Sequence, residues 1–292
     1  MRHDGLMEEH GSKAEQASMN DRVIVVTGAS DGIGAATARL LKGHGAHVVI
    51  VGRSPEKTEK VANVLRAPYY LADYARLDDV RALAAKLRSD LPRIDVLANN
   101  AGGVMGDRRL TVDGNERTVQ VNHLAPFLLT NLLLDTLTAS RATVIATSSL
   151  ANRGAGKLDL SDINLEHGYS AQRAYGRAKL MNILFTRELD KRYRAAGIAA
   201  ASFQPGTVRT SFSSEFGGGW SFVYSSFIKS FLRSPDKGAE TLVWLATSKP
   251  GEDWKPGEFY KDKKVCGATK QAYDANLARD LWEASATLTT PQ

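Results

Sequence analysis

The run Val23-Ile24-Val25-Val26-Thr27 leads straight into Gly28-Ala29-Ser30-Asp31-Gly32-Ile33-Gly34. A short β-branched strand that ends in a glycine-rich turn and continues with helical spacing can be packed in few ways. Both faces of the strand are apolar, so both need cover, as in a parallel sheet sandwiched by helices. The glycines let backbone approach a pyrophosphate, and the helix that starts there offers free N–H groups and the positive end of its dipole. The spacing is G-x-x-x-G-x-G and not the general dinucleotide fingerprint G-x-G-x-x-G. A bare turn also needs glycines. It is the place of the cluster, after the first strand of a βαβ unit, that points to nucleotide binding by Gly28, Ser30, Asp31, Gly32, Ile33 and Gly34.

The alternation continues. Val23 to Thr27, Ala46 to Val51, Ala67 to Leu71, Ile94 to Ala98, Thr143 to Thr147 and Ala199 to Phe203 have the character of buried parallel strands. Ile33 to Gly43, Leu77 to Leu91, Val112 to Leu137 and Ala174 to Arg194 have helical spacing. Later come a helix near Lys237 to Thr247, a short strand near Glu258 to Tyr260 and a last helix near Thr269 to Thr287. Right-handed crossovers then give an α/β fold: a doubly wound parallel, Rossmann-type sheet of about seven strands with helices on both faces. Its ligand crevice lies at the carboxyl ends of the strands. A length of 292 residues suits one such domain, expected over 21–292, behind a disordered polar tail at 1–20.

No apolar run approaches the ~20 residues of a membrane span, and the tail lacks the apolar core of a signal peptide. A single cysteine, Cys266, excludes an internal disulfide. These features fit a cytoplasmic protein without an integral membrane anchor. The net charge of +6 comes from interleaved acids and bases, as between Lys255 and Lys264, which describes a solvated face. No nucleic-acid motif stands out. The tail histidines His3 and His10 are expected on the surface, and no metal site is expected.

The second strand ends at Arg53, 19 residues past Gly34, where an acidic residue would hold the ribose hydroxyl of NAD. An arginine there suits a 2′-phosphate instead, so NADP(H) is expected over NAD(H). Asp73, followed by Tyr74, stands after the third strand and can accept from an adenine amine or cap a helix. Asn100, Ala101 and Gly102, after the fourth strand, let a cofactor lie flat against the strand end. The fifth strand ends in Thr147-Ser148-Ser149, and Tyr175 and Lys179 follow at i, i+4 on one helix face. A nearby lysine cation lowers the phenol below its usual value of about 10, bringing it into acid–base range. A second Y-x-x-x-K string, Tyr260 with Lys264, lies among glycines and charges and is expected to be surface strand and turn.

From about Asp21 to its end the chain resembles the short-chain dehydrogenase/reductase family. The matching pieces are TGASDGIG, NNAG, VNHLAPFLLT, ATSS, YGRAK and PGTVRT, in family order. The stretch YGRAKLMNILFTREL and the late FYKDKK are most similar to the retinol-dehydrogenase-like branch. The resemblance implies four catalytic residues: Asn122 holding a water that links Lys179 to solvent, Ser149 bonding the substrate oxygen, Tyr175 passing the proton, and Lys179 lowering the tyrosine pKa and binding the nicotinamide ribose. It implies that Pro205, Gly206, Val208 and Thr210 hold the carboxamide and phosphate side. The 26-residue gap from Ser149 to Tyr175 is wide for the family though similar to that branch, and it leaves Ser148 as the alternative to Ser149. Asp31 stands where some NADP-preferring relatives carry a base, which leaves Arg53 alone on the phosphate. Relatives pair through the helices bearing Asn122 and Tyr175, so a homo-oligomer is expected.

The implied activity interconverts an alcohol with its ketone or aldehyde. The complete set of four residues argues against a nucleotide-binding sensor without turnover, whereas reduction of a C=C bond would retain Tyr175 and Lys179. The stretch Ser211 to Ser234 follows the cofactor-holding segment and contains Phe212, Phe216, Trp220, Phe222, Tyr224, Phe227 and Phe231 around the Gly217-Gly218-Gly219 hinge. An aromatic lid of this kind suits a bulky, hydrophobic small-molecule substrate.

Overall fold

The computed structural model describes residues 19–206 and 233–291. Their eight-stranded sheet has the order β3-β2-β1-β4-β5-β6-β7-β8. Strands β1 (Val23–Thr27), β2 (His47–Gly52), β3 (Tyr69–Leu71), β4 (Val96–Asn99), β5 (Thr143–Thr147), β6 (Ala199–Phe203) and β7 (Phe259–Lys261) run parallel. These are the seven strands of the doubly wound architecture. The eighth, β8 (Lys264–Val265), returns antiparallel on β7. It exists because Asp262 and Lys263 both take left-handed φ, 50° and 62°, and close a two-residue hairpin.

Successive strand residues face opposite sides. Val25, Leu97, Val144 and Ala200 join one core with helices α3 (Leu77–Asp90), α4 (117–132) and α6 (Ala171–Tyr193). Ile24, Val26, Ile50, Ile145 and Phe203 join the other with α1 (Gly32–Gly43) and α7 (Pro235–Thr247). Each buried branched side chain contributes roughly 1.5–3 kcal/mol of transfer free energy. Met19, the first described residue and part of the segment expected to be a tail, is 4% exposed within the second core. Residues 1–18 lie outside the described residues.

Helix α2 (Pro55–Leu65) was not expected from apolar spacing, because only Thr58 and Ala62 of it are buried. The long helix expected over Val112 to Leu137 is shorter and interrupted. An antiparallel bridge between Leu110 and Glu116 precedes it, and Glu116 caps its first turn by accepting from the Val119 N–H at 2.9 Å. Helix α4 then runs through Arg117–Val119, a π-turn at Gln120–Leu124, and Ala125–Leu132. It breaks at Leu133 before α5 (Leu134–Ala139).

Ser170 caps α6 by accepting from the Arg173 N–H at 3.2 Å. This helix is buried nearly all round because α8 (Ala275–Leu288) lies across it. Trp282 of α8 stacks on Phe185 at 5.7 Å and meets Phe127 of α4 edge-on at 5.1 Å. Tyr260, expected at the surface, is instead 2% exposed, since β7 pairs with β6 beside Trp244 and Trp254. Among the described residues, no helix is long and apolar enough to cross a membrane.

Candidate active site

Strand order reverses between β1 and β4, so the loops after these strands diverge and open a crevice. The glycine turn after β1 lies there. A Cβ added to Gly34 would sit 2.2 Å from the Gly28 carbonyl oxygen and 2.7 Å from the Asn100 amide nitrogen. Only glycine permits that approach, so backbone N–H groups form the surface of the cradle at the start of α1. Asn100 braces it: Nδ2 donates to Thr27 O at 3.0 Å, and Oδ1 accepts from the Thr147 hydroxyl at 3.4 Å. The Thr27 hydroxyl accepts from the N–H groups of both Asn100 and Ala101, each at 3.0 Å. Three strand ends are thereby joined around the glycine turn.

On one flank Arg53 is exposed at the end of β2, with no ion pair among the described residues. Its neighbour Gly52 lies against Ser30 of the glycine turn: an added Cβ would come within 3.0 Å of Ser30 Cβ. Asp31 caps α1, accepting from the Gly32 N–H at 2.7 Å, and its other oxygen pairs with Lys57 Nζ at 3.5 Å. Arg53 is therefore not the lone cation on this flank, and the acid that weighed against a 2′-phosphate is itself countered. Lys57 was missed because it stands in the first turn of the unexpected α2, which Ser54 caps. Asp73 does not cap α3, whose N-cap is Arg76; Asp73 Oδ1 accepts instead from the Ala75 N–H at 3.0 Å. The Tyr74 ring is 5% exposed in the core, where burial raises its phenol pKa, and its carbonyl accepts from Gln120.

On the other flank lie the ends of β5 and α6. The Ser148 hydroxyl donates to the Lys179 carbonyl at 2.7 Å and is 1% exposed, so it ties β5 to α6. Ser149 is half-buried; its Oγ accepts from the Ala151 N–H at 3.2 Å, which leaves its proton to give. Tyr175 is half-buried in the first turns of α6. One turn on, Lys179 Nζ lies 5.2 Å from the Tyr175 ring centre and donates to Thr147 O at 3.1 Å. Lys179 is 2% exposed, and desolvation pushes its pKa down from 10.5 to about 7.

Asn122 is 1% exposed. Its amide donates to Gly103 O at 2.8 Å and to Thr118 O at 2.9 Å, and its Oδ1 accepts from the Gly103 N–H at 3.1 Å. Gly102 has φ 156°, and a Cβ there would strike Asn122 Oδ1 at 2.4 Å. The Asn122 carbonyl lacks its α-helical donor because residue 126 is proline. Asn182 supplies one: its Nδ2 donates to Asn122 O at 3.0 Å and to Thr147 O at 3.1 Å. Asn182 was missed although 175, 179 and 182 share one helix face.

Pro205 and Gly206 follow β6, and the Gly206 N–H donates to Gln204 Oε1 at 3.0 Å. Val208, Thr210 and all of the expected lid but Arg233 and Ser234 lie outside the described residues. Ser234 caps α7, accepting from the Lys237 N–H at 3.2 Å.

The profile of the short chain dehydrogenase family matches residues 22–218. A Streptomyces sp. (strain C5) protein named "Putative daunorubicin C-13 ketoreductase DnrU" is 43% identical over 274 residues, 91% of each chain. Retinol dehydrogenase 13 of Homo sapiens is 34% identical over 291 residues, covering 95% of this chain and 87% of that protein. A solved structure from Mycobacterium paratuberculosis superposes with TM-score 0.74 at 32% identity, over 92% of this chain and 93% of the other. The Pseudomonas aeruginosa RhlG/NADP active-site complex does so with TM-score 0.66 at 25% identity, over 82% and 93%. With its glycine turn, sheet order and Tyr175–Lys179 helix in place, the chain belongs to the short-chain dehydrogenase family, in its retinol-dehydrogenase-like branch.

Proposed function

We propose that this oxidoreductase uses NADP(H) to interconvert a bulky, hydrophobic alcohol with its ketone or aldehyde. One observation carries the reading: buried Lys179 stands beside Tyr175 at the end of the strand that Ser148 and Ser149 follow. The glycine cradle, Asn100 and the Pro205–Gly206 turn would hold the dinucleotide, with Arg53 and Lys57 on its 2′-phosphate. When bound, that cofactor supplies or takes the hydride.

The protein handles the proton. In reduction the Ser149 hydroxyl donates to the substrate oxygen, and the Tyr175 phenol gives its proton to the forming alkoxide. Donors of this kind contribute a factor of about 10² to 10³ each. In its protonated form Lys179 lowers the cost of the phenolate left behind and would bind the nicotinamide ribose. Asn122 holds the Gly103 loop and would seat a water through which Lys179 reaches solvent. In oxidation the same groups run in reverse.

The substrate class draws support from relatives named for daunorubicin and for retinol, both large molecules. The aromatics of Ser211 to Ser234 add to it through their sequence. The test is oxidation of NADPH and of NADH with ketones and aldehydes of growing apolar size, with products identified by mass. NADPH should be preferred, and kcat/KM should rise with apolar size. Absence of turnover with either cofactor, in both directions, would overturn the reading; a preference for short, charged carbonyls would overturn the substrate class.

A further inference from the structure

Behind Lys179 a row of buried polar side chains reaches the C-terminal helix. His123, in the π-turn of α4, is 1% exposed between Phe127 and Phe185. Its Nδ1 lies 3.2 Å from Asn182 Oδ1, and its Nε2 lies 2.9 Å from the Ser285 hydroxyl of α8. Asn182 in turn holds the carbonyls of Asn122 and Thr147, and Thr147 O also accepts from Lys179.

The protons can be assigned by counting. Asn182 spends both amide hydrogens on the two carbonyls, so the atom facing His123 is its oxygen, which needs a donor. Nδ1 must therefore carry a hydrogen. A second proton on the ring is disfavoured, since burial lowers its pKa to about 4; Lys179 is the charged group that adds to this, and the packed neighbours are aromatic. Nε2 is then bare and accepts from the Ser285 hydroxyl, although Leu281 O at 2.7 Å competes for that hydrogen. Every bond thus points one way, from Ser285 to His123, to Asn182, and on to the two carbonyls.

We propose that Ser285, His123 and Asn182 are positioning residues: their hydrogen-bond chain sets the carbonyls of Thr147 and Asn122 and so confines the Lys179 ammonium for the proton step. Thr147 O offers two lone pairs; with the amide on one, Lys179 is held to the other. Asn122 O has lost its helical partner to Pro126, and the same amide satisfies it. This rests on the role given to Lys179 above.

The experiment compares His123→Asn, whose amide can replace the Nδ1 donor, with His123→Leu, which cannot, and with Ser285→Ala. Urea melts show which variants fold. His123→Leu should lower kcat by roughly 10- to 100-fold with KM for the carbonyl within about threefold, and should move the apparent pKa in the kcat profile. His123→Asn should recover most of that loss, and Ser285→Ala should fall between them. Equal losses in His123→Asn and His123→Leu, or a His123→Leu enzyme with full kcat, would overturn the proposal. Two measurements on the cofactor-free protein need no turnover: ¹⁵N NMR should show a neutral His123 with its hydrogen on Nδ1, and the Lys179 ¹³Cε titration should shift in His123→Leu but not in His123→Asn. A ring protonated on Nε2, or an unmoved Lys179 titration, would overturn the proposal. A wild type without turnover would instead overturn the proposed function, with both NMR tests still decisive for the chain.

Discussion

The Lys57 ammonium lies 3.5 Å from the Asp31 carboxylate, across the mouth of the glycine turn. The pair is well exposed, so it adds little to stability. Its consequence is local: a carboxylate that would repel a 2′-phosphate is countered, and a second cation stands near Arg53. Losing a charge-assisted hydrogen bond costs roughly 1.5–3 kcal/mol, or about 10- to 150-fold. Arg53→Ala should therefore raise KM for NADPH within that range and leave NADH nearly unchanged. Lys57→Ala should act in the same direction but more weakly, and Asp31→Asn should offset it. Equal losses with both cofactors in Arg53→Ala would refute the 2′-phosphate assignment.

The two Y-x-x-x-K strings part company through burial. The Tyr260 hydroxyl accepts from the Lys255 N–H at 2.8 Å and donates to Lys255 O at 2.9 Å, so it closes a loop and has no route to the crevice. Tyr260→Phe should lower stability by about 1 kcal/mol per bond lost and leave kcat unchanged. Tyr175→Phe should keep cofactor binding while removing most turnover, and Lys179→Ala should damage both. Steady-state kinetics beside NADPH titration by fluorescence will decide. An active Tyr175→Phe enzyme would reassign the proton donor.

Buried Lys179 also leaves a mark on stability. Its pKa falls from 10.5 to about 7 on folding, with desolvation as the cause. Below about pH 7 both states hold the proton, so the folded state bears the whole penalty. Between about 7 and 10.5 the unfolded chain binds the extra proton, and stability rises with pH; above that the penalty is gone. Lys179→Met should thus stabilise the cofactor-free protein most near pH 6 to 7, by about a few kcal/mol, with the gain shrinking toward about pH 10. Urea denaturation across that range measures it. A gain independent of pH would mean that packing, not charge, is responsible.

What could be read from the sequence is what periodicity and turn chemistry encode. The runs 23–27, 143–147 and 199–203 are apolar on both faces because they are central strands, and their limits match. Helix α2 shows no such signal: it lies on the surface with two buried residues. The β7–β8 hairpin lacks an Asn-Gly or Asp-Gly turn, since Asp262 and Lys263 take left-handed φ without a glycine. In the site, residues in motif strings were accessible, and Ser148 could be told from Ser149 only by the hydroxyl's contact with Lys179 O. Lys57, His123 and Asn182 act through partners far away in sequence. The proline that frees the Asn122 carbonyl was in plain view, yet its effect depends on an amide 60 residues later.

The resemblance to short-chain dehydrogenases implies pairing through the helices that carry Asn122 and Tyr175. In this chain the aromatic side of both helices is taken up from within: Trp282 of α8 covers Phe127 and Phe185, Arg192 stacks over the Trp282 ring at 4.8 Å, and Arg81 of α3 donates to Thr289 O at 2.7 Å just past α8. A second copy could pair there only by displacing α8, which would expose Trp282 and part Ser285 from His123. Light scattering on the eluting protein should therefore give the 31.7 kDa of one chain. Trp282→Ala should cost about 3–5 kcal/mol as a large-to-small change in the core. It should also make the mass depend on concentration, because the apolar faces of α4 and α6 are then uncovered. A wild type of twice that mass, unaffected by Trp282→Ala, would show that the chain pairs through another face.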